Sequence, residues 1–175
     1  MRVYPPALTL STVAAALLLA GCGGGGKGSP LEARAVRGPG FGVSVPRTWS
    51  VEQGPQRIDA RPGATSDELV SVVVFRLVRP FRPELWPRVV GELDGVVDRL
   101  AAGLHARIDS AQNVTVAGER ARRYELSYER AGRKLRQRIV FVLRGRNEYQ
   151  LLCRWRPNGE EPAACRLLVE TFRPE

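Results

Sequence analysis

The sequence predicts an α+β domain, a central antiparallel sheet flanked by helices, and three observations carry that expectation. Across residues 114–155 apolar and polar side chains alternate around two glycine-containing breaks, Ala131-Gly132 and Gly145-Arg146-Asn147, which is the period of antiparallel hairpins. Residues 89–104 instead repeat apolar side chains in steps of three and four, the period of a helix lying on an apolar surface. The β-branched run at residues 70–78 reads as a central strand.

In chain order, the first 21 residues stand outside this domain. Arg2, an apolar run at residues 13–19 and the small Ala20 and Gly21 form a secretory signal. The run is shorter than the roughly 20 residues of a membrane span, and a glycine tract follows it. Leu19-Ala20-Gly21-Cys22 resembles the lipobox of bacterial lipoproteins, in which small residues precede a cysteine whose thiol carries diacylglycerol. The resemblance implies cleavage before Cys22, lipidation of Cys22 and an address on the extracytoplasmic face of the cell membrane. Each buried methylene contributes about 0.8 kcal/mol, so two or three acyl chains hold a protein on a bilayer. Residues 23–30 offer almost no side chains to bury and read as a flexible tether, so that residues 22–40 form the anchor segment and residues 41–175 the domain. Residues 21–27 copy the spacing of a phosphate-binding loop, but Gly28 stands where that loop needs Ser or Thr, and no strand leads into it.

Cleavage leaves 154 residues, enough for one domain with a proper core. Without Arg2 the chain has 26 basic against 18 acidic residues, a formal +8. Outside a cell the polyanions on offer are lipid headgroups and wall polymers, so the charge points to an anionic surface and not to nucleic acid.

Within the domain, Phe41, Val43 and Val45 followed by Pro46, Trp49 and Val51 read as a hairpin. A short strand near Ile58 comes next, before the central run. Pro87 suits a helix start, and Val89, Leu93, Val96, Leu100 and Leu104 form one helical stripe. Closing a hairpin at Ala131-Gly132 sets Glu129 against Lys134, Ser127 against Arg136 and Glu125 against Arg138 on one face, with Tyr128 against Leu135 and Tyr124 against Ile139 on the other. A three-residue turn at Gly145-Arg146-Asn147 then sets Arg144 against Glu148, Leu143 against Tyr149, Phe141 against Leu151 and Ile139 against Cys153. Val140, Val142 and Leu152 fall on the arginine-bearing face, where something has to cover them. The segment 160–172, acidic and then Pro162 at its start, with Cys165, Leu168, Val169 and Phe172 in a stripe, reads as a second helix, so helices are expected on both faces. In this register the charge pairs are exposed and contribute about 0–1 kcal/mol each.

With Cys22 used by lipid, Cys153 and Cys165 remain as an even pair in an oxidising compartment, and a disulfide between them follows. Further residues carry a family resemblance. Phe41-Gly42-Val43-Ser44-Val45-Pro46 with Trp49, Val116-Ala117-Gly118 with Ala121 and Tyr124, Tyr149, Leu151 and Cys153, and Cys165 with the ending Thr171-Phe172-Arg173 resemble the PsbP-like proteins over most of residues 41–173. That resemblance implies an α/β/α sandwich, and a part in assembling or stabilising larger complexes rather than catalysis.

Little in the sequence points to chemistry. His105 is the one histidine, which leaves too few ligands for zinc, and no cofactor motif stands out. Asp109 and Ser110 lie near His105, yet a histidine at a helix end beside Arg107 is expected to be solvated or capping. Glu160-Glu161 is the ordinary composition of a helix start. Two function classes compete: a non-catalytic interaction or complex-assembly module whose partner is another envelope protein, and a carrier holding a small or lipidic ligand between sheet and helix. A carrier needs a cavity of several hundred Å³. The large residues paired across the strands favour the first.

Overall fold

The computed structural model describes residues 32–157 and 161–175, so Cys22 and the lipobox lie outside the described residues. Among the described residues ten strands and two α-helices follow one another as β1 (Ala33–Gly38), β2 (Phe41–Pro46), β3 (Ser50–Gly54), β4 (Arg57–Arg61), β5 (Leu69–Arg76), α1 (Trp86–Leu104, entered through a 3-10 turn at Pro83–Leu85), β6 (Arg107–Val116), β7 (Glu119–Arg130), β8 (Arg133–Arg144), β9 (Asn147–Trp155), α2 (Ala163–Thr171) and β10 (Arg173–Pro174). Seven strands form one antiparallel sheet in the order β3-β4-β5-β9-β8-β7-β6, and β1-β2-β10 form a second, small sheet.

Tight turns draw the large sheet together. Ala117-Gly118 and Ala131-Gly132 both take positive φ at two successive residues, the type I′ pattern whose twist matches that of the flanking strands. At Ala131-Gly132 every expected pair forms, including Glu125 with Arg138 and Tyr124 with Ile139. The next turn differs from expectation. Its loop has two residues, Gly145-Arg146, with positive φ at the glycine alone, the type II′ pattern. Arg144 therefore pairs with Asn147, Val142 with Tyr149, Val140 with Leu151, Ile139 with Leu152 and Arg138 with Cys153. This one-residue slip sends each β9 side chain to the face opposite the expected one.

The corrected register separates two cores. On one face Tyr124, Leu126, Ile139, Phe141 and Leu143 pack beneath α1. On the other, Val140, Val142, Tyr149, Leu151 and Cys153 pack with α2 and with Phe41, Val43 and Val45 of the small sheet. Val140 and Val142 are covered as anticipated, whereas Leu152 lies on the α1 side. Helix α1 starts with Pro87 in its first turn, but its inward stripe is Trp86, Leu93, Val97 and Ala101. Val96 and Leu100 are 39% and 36% exposed. The T-shaped pair Tyr124–Phe141 packs with this stripe in one core.

Two further expectations change at the amino-terminal side. Strand β2 makes no hairpin with β3: Pro46 ends it, Trp49 N–H closes a turn on Pro46 O at 3.1 Å, and the chain steps from the small sheet into the large one. The domain also begins before residue 41, because β1, placed in the tether by its lack of apolar residues, pairs with β2 from Ala33–Pro46 to Gly38–Phe41. Only Val36 of that strand is buried, which is why no apolar pattern announces it. The strand near Ile58 is β4, and β5 has strands on both sides, as the central run requires.

Candidate interaction site

Arg138 organises the surface left open beside α2. Its Nε donates to Glu125 Oε1 at 2.5 Å across the β7–β8 ladder, and a second nitrogen donates to Glu161 just ahead of α2. Its guanidinium carbon lies 5.9 Å from the Trp155 ring centroid, within cation–π range. Burial works against the charge, yet the hydrogen bonds to Glu161 and Glu125 outweigh it and hold the guanidinium above the ordinary arginine pKa. The side chain is only 15% exposed, so this is a sequestered ion triad and not the exposed pair expected from the sequence.

Two open hollows meet at Arg138 and Glu161. One, of about 270 Å³, has Val114, Val116 and Val140 as its floor and Arg123 and Arg166 at its rim. The other, of about 320 Å³, is bounded by Asp109, Ser110, Glu125, Arg136 and Trp155. Arg123 gives a terminal nitrogen to Gln112 Oε1 at 2.7 Å, while its buried Nε has no partner. A third hollow, about 370 Å³, opens on the opposite face of the same sheet edge between Trp86, Asn113, Thr115 and Arg120.

The remaining charge clusters are structural in geometry. Asp94 of α1 accepts from Arg122 at 3.0 Å and from the Tyr124 hydroxyl at 2.5 Å, which ties the helix to β7. Burial, then the neighbouring Asp94 carboxylate, pushes the Tyr124 phenol well above its usual range. Asp67, in the loop before β5, accepts twice from Arg156 and faces Arg133 at 3.1 Å. The Arg156 hydrogen bond leads the effects that hold its carboxyl below the ordinary value.

Cys153 and Cys165 are joined, with Cα atoms 5.5 Å apart, because the corrected register turns Cys153 toward α2. His105 is an exposed helix cap in the left-handed region at φ 50°. Asp109 is engaged elsewhere, accepting from Arg107 Nε at 2.7 Å and from Ser127 Oγ at 3.2 Å. Among the described residues no group of three or more His, Cys, Asp or Glu is placed to hold a metal ion, and no helix is long and apolar enough to cross a membrane. Glu161, read from the sequence as a helix-start acid, instead reaches across to the sheet, and Arg123 gave no sequence signal because its role depends on which strands lie beside it.

No protein-family model matches the sequence, and a comparison with curated proteins finds no match. Solved structures do match in shape. The solution structure of cyanobacterial PsbP (CyanoP) from Synechocystis sp. PCC 6803 superposes with a TM-score of 0.61 at 11% identity, covering 88% of this chain and 99% of that one. A crystal structure from Bacteroides thetaiotaomicron gives 0.59 at 12% identity over 81% of this chain, which spans about half (48%) of that longer protein. LpqN, involved in cell envelope biogenesis of Mycobacterium tuberculosis, is a looser match with a TM-score of 0.47 at 15% identity, covering 81% of this chain and 89% of that one. The large antiparallel sheet, with a helix on each face and a small sheet against one of them, is thus a PsbP-like α+β sandwich.

Proposed function

We propose that this protein is a non-catalytic module, lipid-anchored through Cys22 on the extracytoplasmic face of the cell membrane, that binds another envelope protein. The observation that carries the reading is the lipobox pattern at residues 19–22, directly after an apolar signal core and directly before a glycine-rich stretch. The packing supports a binding module over a carrier. The space between the sheet and each helix is filled by large side chains such as Tyr124, Phe141, Tyr149 and Leu168, each no more than 2% exposed. The hollows beside α2 are open and edged by charge.

Fatty-acid labelling and membrane fractionation test the anchor. The native chain is expected to take up label and sediment with membranes, and Cys22→Ala to remain an unlabelled precursor. Equal labelling of that variant overturns the anchor. Native mass spectrometry of the purified protein tests the module: a stoichiometric small molecule retained in the domain overturns it in favour of a carrier.

A further inference from the structure

We infer that β6 is a docking edge, at which an extended segment of a partner protein bearing carboxylate side chains adds as a further strand. The inference rests on the proposed reading as a binding module and names its surface. Strand β6 ends the seven-stranded sheet, with β7 on one side and no strand on the other among the described residues. It is ten residues long, whereas the strand at the opposite edge, β3, has five. Only Asp109 is bulged, and from Ser110 to Val116 the pairing with β7 is regular, so seven successive residues present one straight edge.

A bare edge supplies main-chain hydrogen bonds, and pockets for alternate side chains supply selectivity. Both are present at the same place. Val114 and Thr115 line a hollow on the α2 face and another on the α1 face. A strand laid against them would drop successive side chains alternately into the two. The charge around these hollows selects the occupant. Arg120 stands at the α1-face hollow; Arg123 and Arg166 stand at the other, where Glu161 is already held by Arg138, leaving Glu170 as the opposing carboxylate. The floor there is Val114, Val116, Val140 and Val169. Alternating carboxylate and apolar side chains fit both. A second copy of this chain fits poorly, since its β6 carries one Arg and one Asp and its overall charge has the same sign.

The test uses the purified chain and a capped (Glu-Val)4 peptide, with (Lys-Val)4 and a centrally proline-substituted (Glu-Val)4 as controls. Binding is read by fluorescence anisotropy and by amide hydrogen exchange. The expected result is binding of the first peptide alone, with new protection confined to residues 110–116. Arg120→Glu is expected to weaken that binding about tenfold, while Arg146→Glu, at the exposed β8–β9 turn and equal in net charge, leaves it unchanged. Absence of new protection in β6 overturns the inference. So does equal weakening by both variants, which reports attraction to net charge, or concentration-dependent protection of β6 without peptide, which reports a second copy. Membrane fractionation is independent of these outcomes, so loss of the anchor and loss of the docking edge are told apart.

Discussion

Neighbours in sequence, Arg138 and Ile139 point to opposite faces, and that difference sets what each does for stability. Ile139 is 3% exposed beneath α1, so Ile139→Ala is expected to cost about 2–5 kcal/mol through lost burial and a residual cavity. Arg138→Ala was expected from the sequence to be mild, as for an exposed pair. In the structure it would leave Glu125 and Glu161 facing each other in a half-buried setting, and the expected cost rises to about 1–3 kcal/mol. Urea melts of the two variants check this, and Arg138→Lys, which keeps the charge but loses the fork, should fall between wild type and Arg138→Ala. Asp67 makes its contribution visible through pH. Its folded pKa lies below 3.8, so its stabilisation is fully present above 3.8 and is lost as pH falls through the lower, folded value. The stability gap between wild type and Asp67→Asn should therefore be constant at neutral pH and close in acid, and a gap that widens in acid would contradict the arginine contacts.

At the level of elements, the disulfide joins β9 to α2 across a short loop, and the Cys153→Ser, Cys165→Ser double variant should lose about 2–4 kcal/mol in urea melts. Non-reducing peptide mapping should find the two cysteines joined, and two freely alkylatable thiols in the native protein would count against it. How much could be read from the sequence varied with how strongly each element's faces differ. The β7–β8 register was legible because charges and aromatics alternate on both strands, so one pairing satisfies both. The β8–β9 register was not, because residues 139–143 are apolar on both faces and either register buries something apolar; turn length decided, and Asn147 imitated a turn residue. Strands β1 and β6 escaped notice for the opposite reason. Each is an edge with few buried residues, and without a buried face no alternation remains to be seen. The proposed docking surface depends on β6, so it was invisible for the same reason.

For the whole molecule, the two cores differ in how their parts are distributed along the chain. Beneath α1 the contacts join residues 77–152, largely through successive hairpins and one helix. The α2-face core joins residues 36–45 to residues 164–172, from nearly opposite ends of the described chain. Contacts so distant in sequence carry the larger closure entropy and are expected to form late. Val43→Ala should therefore mainly speed unfolding, whereas Ile139→Ala should also slow refolding, a contrast that chevron plots of the two variants would reveal. The small sheet has a consequence for the making of the protein. Strand β2 lies between β1 and β10, so one flank of it stays unpaired until Arg173 and Pro174 are in place. A chain synthesised from its amino terminus thus holds Phe41, Val43 and Val45 without their partners Leu168 and Phe172 while the more than one hundred intervening residues are made. Apolar surface left waiting in this way is prone to association with other chains, and the Cys153–Cys165 bond, which joins β9 to α2, locks in place the helix that covers it.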